Sequence, residues 1–499
     1  MAEFDFVEHL PSVMPVIGLT ILAIIVLALD LYLPESQRKY TGYVAAIGML
    51  LLAIVPIVFA PDPDESSYWG GMIRHDILSQ FFTVMVLLAG AITSLIAVDS
   101  RNLARKGEFY LIIIVSTLGA SLMAAASDLI MVFVALETTS IPLYILAGLN
   151  RNDEKSVESS LKYFLFGAFA STIMLYGFSL LYGFTGETGI EAIGQYLGSG
   201  SIIEPIPVLL SMVFIFVGFG FKISAVPFHF WAPDVYEGAP TPVTAFISVA
   251  SKAASFALLI RFLVAVFPET AIIDGNSMQE FWLALVSALA VVSMIVGNTM
   301  ALVQKNVKRL LAYSSIAQAG YALIGVAAIQ SQSDQGVAAV AFYMFMYTFT
   351  NLLAFGVVVV FSETTGRDDI ADFAGLNRRS PMMALAMTVA FLSLGGIPPA
   401  AGFFGKFFVF NAAVEAHLEW LAIIGVLNSI VALYYYLVFI KVMYVDHSAD
   451  ENEPMPIPKA AAWTMGFTTL AVILLGVVPS AVFEWAQDGA SALLGIIVG

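Results

Sequence analysis

From Val13 to Trp485 the chain is an almost unbroken succession of apolar runs, each about as long as the hydrocarbon layer of a bilayer is thick. A layer of roughly 30 Å takes about 20 residues at 1.5 Å per residue, and inside it every peptide group must bond within its own segment, so these runs are helices. Fourteen spans are predicted, at 13-33, 41-60, 77-98, 109-126, 128-149, 160-183, 206-230, 241-266, 279-300, 308-329, 337-361, 381-415, 421-445 and 460-484. With 60% of 499 residues hydrophobic and 12% charged, no sizeable soluble domain remains. The fold class is an all-α polytopic membrane protein.

Two spans exceed one crossing. The seventh carries Gly218, Gly220 and Pro227, and the twelfth carries Gly395-Gly396-Ile397-Pro398-Pro399 followed by Gly402 and Gly405. Both predict broken helices. Each broken helix follows a pair of apolar spans and precedes another, which predicts two five-helix units, helices 4-8 (109-266) and 9-13 (279-445), framed by helices 1-3 (1-108) and by helix 14 with a tail (460-499). An odd number of spans per unit inverts the second relative to the first, the plan of many transporters.

Lys and Arg accumulate in short cytoplasmic loops. Arg38, Lys39, Arg101, Arg105, Lys106, Arg151, Lys155, Lys305, Lys308, Arg309, Arg367, Arg378, Arg379 and Lys459 all fall on one side of the fourteen-span plan; Arg74 and Arg261 fall on the other. This asymmetry predicts both termini outside a bacterial plasma (inner) membrane. The first residues lack the basic start of a cleavable signal, so the first helix is expected to stay as a span.

The net charge of -16 resides in loops, with clusters at Asp62, Asp64, Glu65 and at Asp450, Glu451, Glu453, and it argues against nucleic acid as a partner. Without cysteine there is no thiolate-held iron-sulfur cluster and no catalytic thiol. One histidine at membrane depth, His229, cannot supply a bis-His heme site, and no phosphate-cradling glycine loop or zinc spacing occurs. No cofactor, metal or catalytic group is expected on this chain.

The informative residues are charges where the bilayer makes charge expensive: Glu137, Lys162, Lys222, Lys252 and Lys406. Glu137 is near the middle of the fifth span, Lys222 beside the break of the seventh, Lys252 well inside the eighth and Lys406 just past the break of the twelfth. A carboxylate beside Lys222 would keep the ammonium charged, and its withdrawal would make the same lysine a proton donor. Three lysines at mid-depth in different helices, with Ser, Thr and Tyr between them, predict a water-wired proton row.

Each residue has a blander alternative. A lysine can snorkel to the interface, most readily Lys162 near the start of its span. Glu137 can persist as a neutral hydrogen-bonded acid. His229 either relays protons or braces the helix break. Arg261 and Asp30 are assigned to helix ends, and Asp128 to a helix N-cap.

The stretches "KISAVPFHFWAPDVYEGAPTPVTAFISVASK" (222-252), "LLAYSSIAQAGYALIG" (310-325) and "SLGGIPPAAGFFGKFFVF" (393-410) strongly resemble the antiporter-like subunits of respiratory complex I, NADH:quinone oxidoreductase, and their relatives in Mrp-type cation/proton antiporters. The resemblance covers roughly residues 70 to 445. The wording "FHFWAPDVYEGAPTPV", a lysine at 252, and an end fifteen residues after the fourteenth predicted span, with no long lateral helix, are nearest to the N-type subunits, relatives of mitochondrial subunit 2. The resemblance implies a proton pathway through Glu137, Lys162, Lys222, His229, Lys252 and Lys406. It also implies a hetero-oligomer with an antiporter-like subunit M and a small subunit K, and a holoenzyme using NADH, FMN, iron-sulfur clusters and quinone elsewhere. The competing readings are a cation/proton antiporter subunit without a redox arm, and a structural membrane subunit whose charges are locked ion pairs.

Overall fold

The computed structural model describes residues 6–59, 61, 67–199, 205–273, 276–330 and 333–498. The acidic cluster Asp62, Asp64 and Glu65 lies outside these. Nearly all of the rest is helix; the exceptions among the described residues include two antiparallel hairpins, Ser67–Tyr68 with Ile73–Arg74 and Ile272–Ile273 with Asn276–Ser277.

Thirteen helices among the described residues are long and apolar enough to cross a membrane. The expected fourteen differ from this at the twelfth span, which is divided into Pro381–Gly395 and Ala401–Glu415, each of 15 residues. At 1.5 Å per residue either piece is about 22 Å long and falls short of a crossing. The seventh ends as helix at Ile223, seven residues before its expected end at 230, and helix resumes just beyond in the eight-residue Trp231–Gly238.

The breaks form where backbone direction must change, and side chains take up the peptide groups the helices release. In the seventh, Ser224 adopts φ +60°, the Val226 amide donates to Ser293 Oγ at 3.0 Å, and Trp231 Nε1 donates to the Phe221 carbonyl at 3.1 Å. In the twelfth, Gly396 closes the first piece in the left-handed region at φ +83°, where a side chain would be strained, and Ser393 Oγ receives the Gly402 amide at 3.0 Å. Gly402 has a second reason to be glycine: a Cβ there would lie 1.7 Å from the Ser393 carbonyl oxygen, so the two pieces touch backbone to backbone.

Three elements differ from expectation. The eighth span is not one α-helix: Thr241–Phe246 is followed by a π-helical turn, Ile247–Ser251, and only then by Lys252–Val266. The sixth span starts at Glu154, capped by Asp153, so Lys162 lies two turns inside it. The residues expected as a tail form a helix, Ser480–Val498, which packs on Ile77–Ala97 and Gln335–Thr365. Asp128 caps its helix as expected, accepting from the Ile130 amide at 2.8 Å.

The core lies around Thr241–Val266, Val307–Ala327 and Gln335–Thr365, which are buried throughout their most apolar windows, whereas Leu10–Tyr32 and Glu419–Tyr444 leave most of theirs uncovered. The three central helices hold Lys252 and the groups that reach it.

Candidate functional site: a row of buried lysines

Glu137, Ser140 and Tyr144 stand on one face of the Leu129–Ala147 helix, at spacings of three and four residues. Ser140 accepts from Lys222 Nζ, while its own hydroxyl donates to the Leu136 carbonyl at 2.5 Å. Lys222 is buried, 5.8 Å from the Tyr144 ring centroid and 5.4 Å from that of Phe221. The Glu137–Lys222 pairing expected from the sequence is indirect. Glu137 acts electrostatically on Lys222, but among the described residues it joins no ion pair within 4 Å, and its Oε1 is buried without a hydrogen-bond partner.

From Lys222 the polar groups continue inward. Tyr144 meets the edge of Tyr163 at 4.8 Å, and Tyr163 stacks on Trp231 at 4.4 Å. Lys252 Nζ donates to the Ser315 carbonyl at 2.9 Å and to the Ser315 hydroxyl, which also bonds the Tyr236 hydroxyl at 3.0 Å.

The Val307–Ala327 helix carries the row onward through Ser314, Ser315, Gln318 and Tyr321, one polar stripe at helical spacing. Ser314 Oγ bonds the Tyr436 hydroxyl at 2.5 Å, and Gln318 Nε2 donates to the Leu394 carbonyl at 3.1 Å while its Oε1 accepts from Tyr343. Tyr435 packs on Tyr436 and donates to Asn298 Oδ1 at 3.1 Å; Asn298 Nδ2 donates to the Tyr321 hydroxyl at 3.1 Å. Lys406 closes the sequence, its Nζ 4.5 Å from the Tyr321 ring centroid and 3.2 Å from the Gly395 carbonyl at the helix break.

Lys222, Lys252 and Lys406 are thus all buried, at 6%, 2% and 4% exposure, and among the described residues their Nζ atoms bond hydroxyl and carbonyl oxygens and no carboxylate. Hydroxyl partners of this kind can both donate and accept.

Two of the expected residues lie apart. Lys162 is half exposed and bonds Asp234 at 2.5 Å and Glu158 at 2.6 Å; Arg309 joins Asp234 at 2.8 Å and Glu237 at 3.0 Å, and Lys155 joins Glu237 at 2.8 Å. This ionic cluster lies on the face that carries the basic loops. His229 packs on Phe230, its Nδ1 buried without a partner, and no described hydrogen bond ties it to a lysine of the row.

Arg261, assigned from sequence to a helix end, is instead 1% exposed and grips Asp76 with both terminal nitrogens, at 2.7 and 2.8 Å, while donating to the Ala124 carbonyl. Arg74 flanks the same carboxylate at 3.6 Å and pairs with Glu191. Asp76 also begins the Ile77–Ala97 helix by a capping box with Ser79. Burial alone would raise the Asp76 carboxyl; the Arg261 guanidinium and the Ser79 amide hold it below the ordinary carboxylate value. The sequence signal for this pair was present only as an arginine inside an apolar helix, its partner being 185 residues away. Ser315, Tyr236, Gln318 and Asn298 were likewise missed, although the Ser-Gln-Tyr spacing in 314-321 marks one helix face.

Discontinuous helices and lysines buried at membrane depth define a polytopic membrane protein of antiporter-like architecture. Residues 126–432 match the NADH:quinone oxidoreductase/Mrp antiporter transmembrane family, and the chain belongs to it. It is 41% identical over 466 residues to NADH-quinone oxidoreductase subunit N of Moorella thermoacetica, covering 93% of this chain and 94% of that one. It is 43% identical over 457 residues to NAD(P)H-quinone oxidoreductase subunit 2 of Trichormus variabilis, covering 90% and 85%. A chain of respiratory complex I from Thermus thermophilus superposes with a TM-score of 0.76 at 31% identity, covering 95% of this chain and 100% of that one. A chain of the Mrp complex from Dietzia shares the fold, with a TM-score of 0.85 at 19% identity over 99% and 100%.

Proposed function

We propose that this chain is a proton-translocating membrane-arm subunit of an NADH:quinone oxidoreductase, driven by quinone reduction elsewhere in the complex. The observation that carries this is the series Lys222, Lys252 and Lys406, three buried ammonium positions set among Ser, Tyr, Gln and Asn with no carboxylate among the described residues locked onto any of them. A structural ion pair would neutralise its lysine; hydroxyl partners can accept or donate and leave the proton exchangeable. Glu137, close to Lys222 yet unpaired, is the acid that biases the first lysine.

The two broken helices take corresponding places in two inverted five-helix units, 109-266 and 279-445, and put one lysine beside each break. Protons reach Lys252 from the basic-loop face, where a cleft of about 490 Å³ is bordered by Arg101, Asp153, Gly238, Thr241, Lys308 and Glu363. Lys162, with Asp234 and Arg309, belongs to the charged surround of that face, and His229 serves the helix break. The loops on this face lie in the bacterial cytoplasm and both termini lie outside. Subunits M and K are the neighbours in the membrane arm, and NADH, FMN, iron-sulfur clusters and quinone belong to other parts of the holoenzyme.

Lys222→Ala in the assembled complex is expected to lower proton pumping together with coupled quinone reduction. Full turnover with an unchanged ratio of protons to electrons would overturn the proposal.

A further inference from the structure

The irregular turns next to Lys252 and Lys406 belong to different helices, yet consecutive residues of a third helix hold both. Gln335–Thr365 runs through the core with Thr350 and Asn351 at 0% and 1% exposure. Asn351 Nδ2 donates to Ser248 Oγ at 2.6 Å, and Ser248 spends its own proton on the Ala245 carbonyl at 2.7 Å, so the direction of the bond is fixed. Ser248 is the second residue of the π-turn Ile247–Ser251, and Lys252 follows that turn directly.

On the other side, Thr350 Oγ1 bonds Ser393 Oγ at 2.9 Å, and Ser393 Oγ accepts the Gly402 amide at 3.0 Å. Gly402 and Lys406 are four residues apart on the same face of Ala401–Glu415, so holding Gly402 sets the direction in which Lys406 projects. Adjacent residues of an α-helix point about 100° apart, which lets one helix reach both neighbours.

We infer that Thr350 and Asn351 are positioning residues that hold the Lys252 π-turn and the Lys406 half-helix in one fixed relation, so that the two lysines stay on the same row. The inference rests on the proton-translocation reading above. Its physical basis is the sensitivity of the π-turn: it holds one residue more than an α-turn, and its relaxation to regular α-helix rotates everything beyond it by about 100°. That rotation would carry Lys252 away from Ser315. The bonds from Asn351 and from Ser248 to Ala245, between groups at 1% and 0% exposure, oppose the relaxation. Thr350 does the corresponding work at the twelfth-helix break, where Ser393 joins the two pieces.

The test uses the assembled complex in proteoliposomes, with Asn351→Leu and Thr350→Val as shape-preserving losses and Thr350→Ser retaining the hydroxyl. Ser248→Ala removes the same Asn351 bond from the other side and decides the case should Asn351→Leu fail to assemble. Lys252→Ala and Lys406→Ala serve as controls. The readouts are assembled complex per membrane, quinone reduction per assembled complex, and protons moved per electron pair. Asn351→Leu is expected to lose the share of the proton ratio lost by Lys252→Ala, and Thr350→Val the share lost by Lys406→Ala. Thr350→Ser is expected to restore wild-type values, and Ser248→Ala to add nothing to Asn351→Leu.

A change in assembly alone, with the ratio per assembled complex unchanged in the Asn351, Ser248 and Thr350 variants while the lysine controls lower it, would overturn the positioning role and leave the proton row standing. Lysine controls that leave the ratio intact would overturn both.

Discussion

Replacing Arg261 with Met should destabilise the chain far more than replacing Arg261 and Asp76 together. The guanidinium makes two charge-assisted hydrogen bonds to Asp76, at 2.7 and 2.8 Å, between groups 1% and 3% exposed. Removing one partner strands a buried carboxylate that retains only the Ser79 amide at 2.8 Å and the flanking Arg74 at 3.6 Å. The expected loss is about 3–5 kcal/mol, the range for breaking a buried pair, or roughly a hundredfold or more in the folding equilibrium.

In Asp76→Ser/Arg261→Met no charge is stranded and serine keeps an oxygen for the helix N-terminus, so the double variant should lie within about 1–2 kcal/mol of wild type. The assay is unfolding of the purified chain in lipid–detergent micelles by dodecyl sulfate titration, followed by tryptophan fluorescence. Because the folded Asp76 carboxyl is held below its unfolded value, its contribution is present above about pH 4 and disappears as pH falls through the lower folded value. The gap between wild type and Arg261→Met should therefore narrow as pH falls, first as the stranded carboxyl of the variant takes up a proton and last, in strong acid, as the wild-type carboxyl does. A single variant costing under about 1 kcal/mol, or a double variant as unstable as the single, would refute the argument.

Gly402→Ala should separate the two pieces of the twelfth helix, since the added carbon would lie 1.7 Å from the Ser393 carbonyl oxygen; a loss of about 2 kcal/mol or more is expected in the same titration, together with reduced pumping. Asp234→Asn removes the carboxylate shared by Lys162 and Arg309 at 2.5 and 2.8 Å, but these groups are partly exposed, so the cost should be about 1 kcal/mol or less. That cost should shrink further in 1 M salt, as measured by stability at two ionic strengths.

The lysines were legible because hydrocarbon makes them conspicuous: Lys222, Lys252 and Lys406 needed only their depth in an apolar run to be singled out. The groups between them were not legible. Ser315, Tyr236 and Asn298 are of types tolerated anywhere in a membrane helix, and only the contacts of Ser315 with Lys252 and of Asn298 with Tyr321 separate them from ordinary neighbours. Glycine and proline announced both broken helices, whereas the π-turn at Ile247–Ser251 contains neither and left no mark. The final helix, Ser480–Val498, was hidden by Glu484 and Asp488, which lower its apolarity.

The burial of Gln335–Thr365 bears on how the chain is made. Synthesis runs from the amino terminus, so this helix leaves the ribosome before Pro381–Gly395, Ala401–Glu415, Lys459–Val477 and Ser480–Val498, four of the segments that eventually cover it. Until they arrive, Thr350 has lipid where Ser393 will stand, whereas Ser248 and Gln318, the partners of Asn351 and Tyr343, are already made.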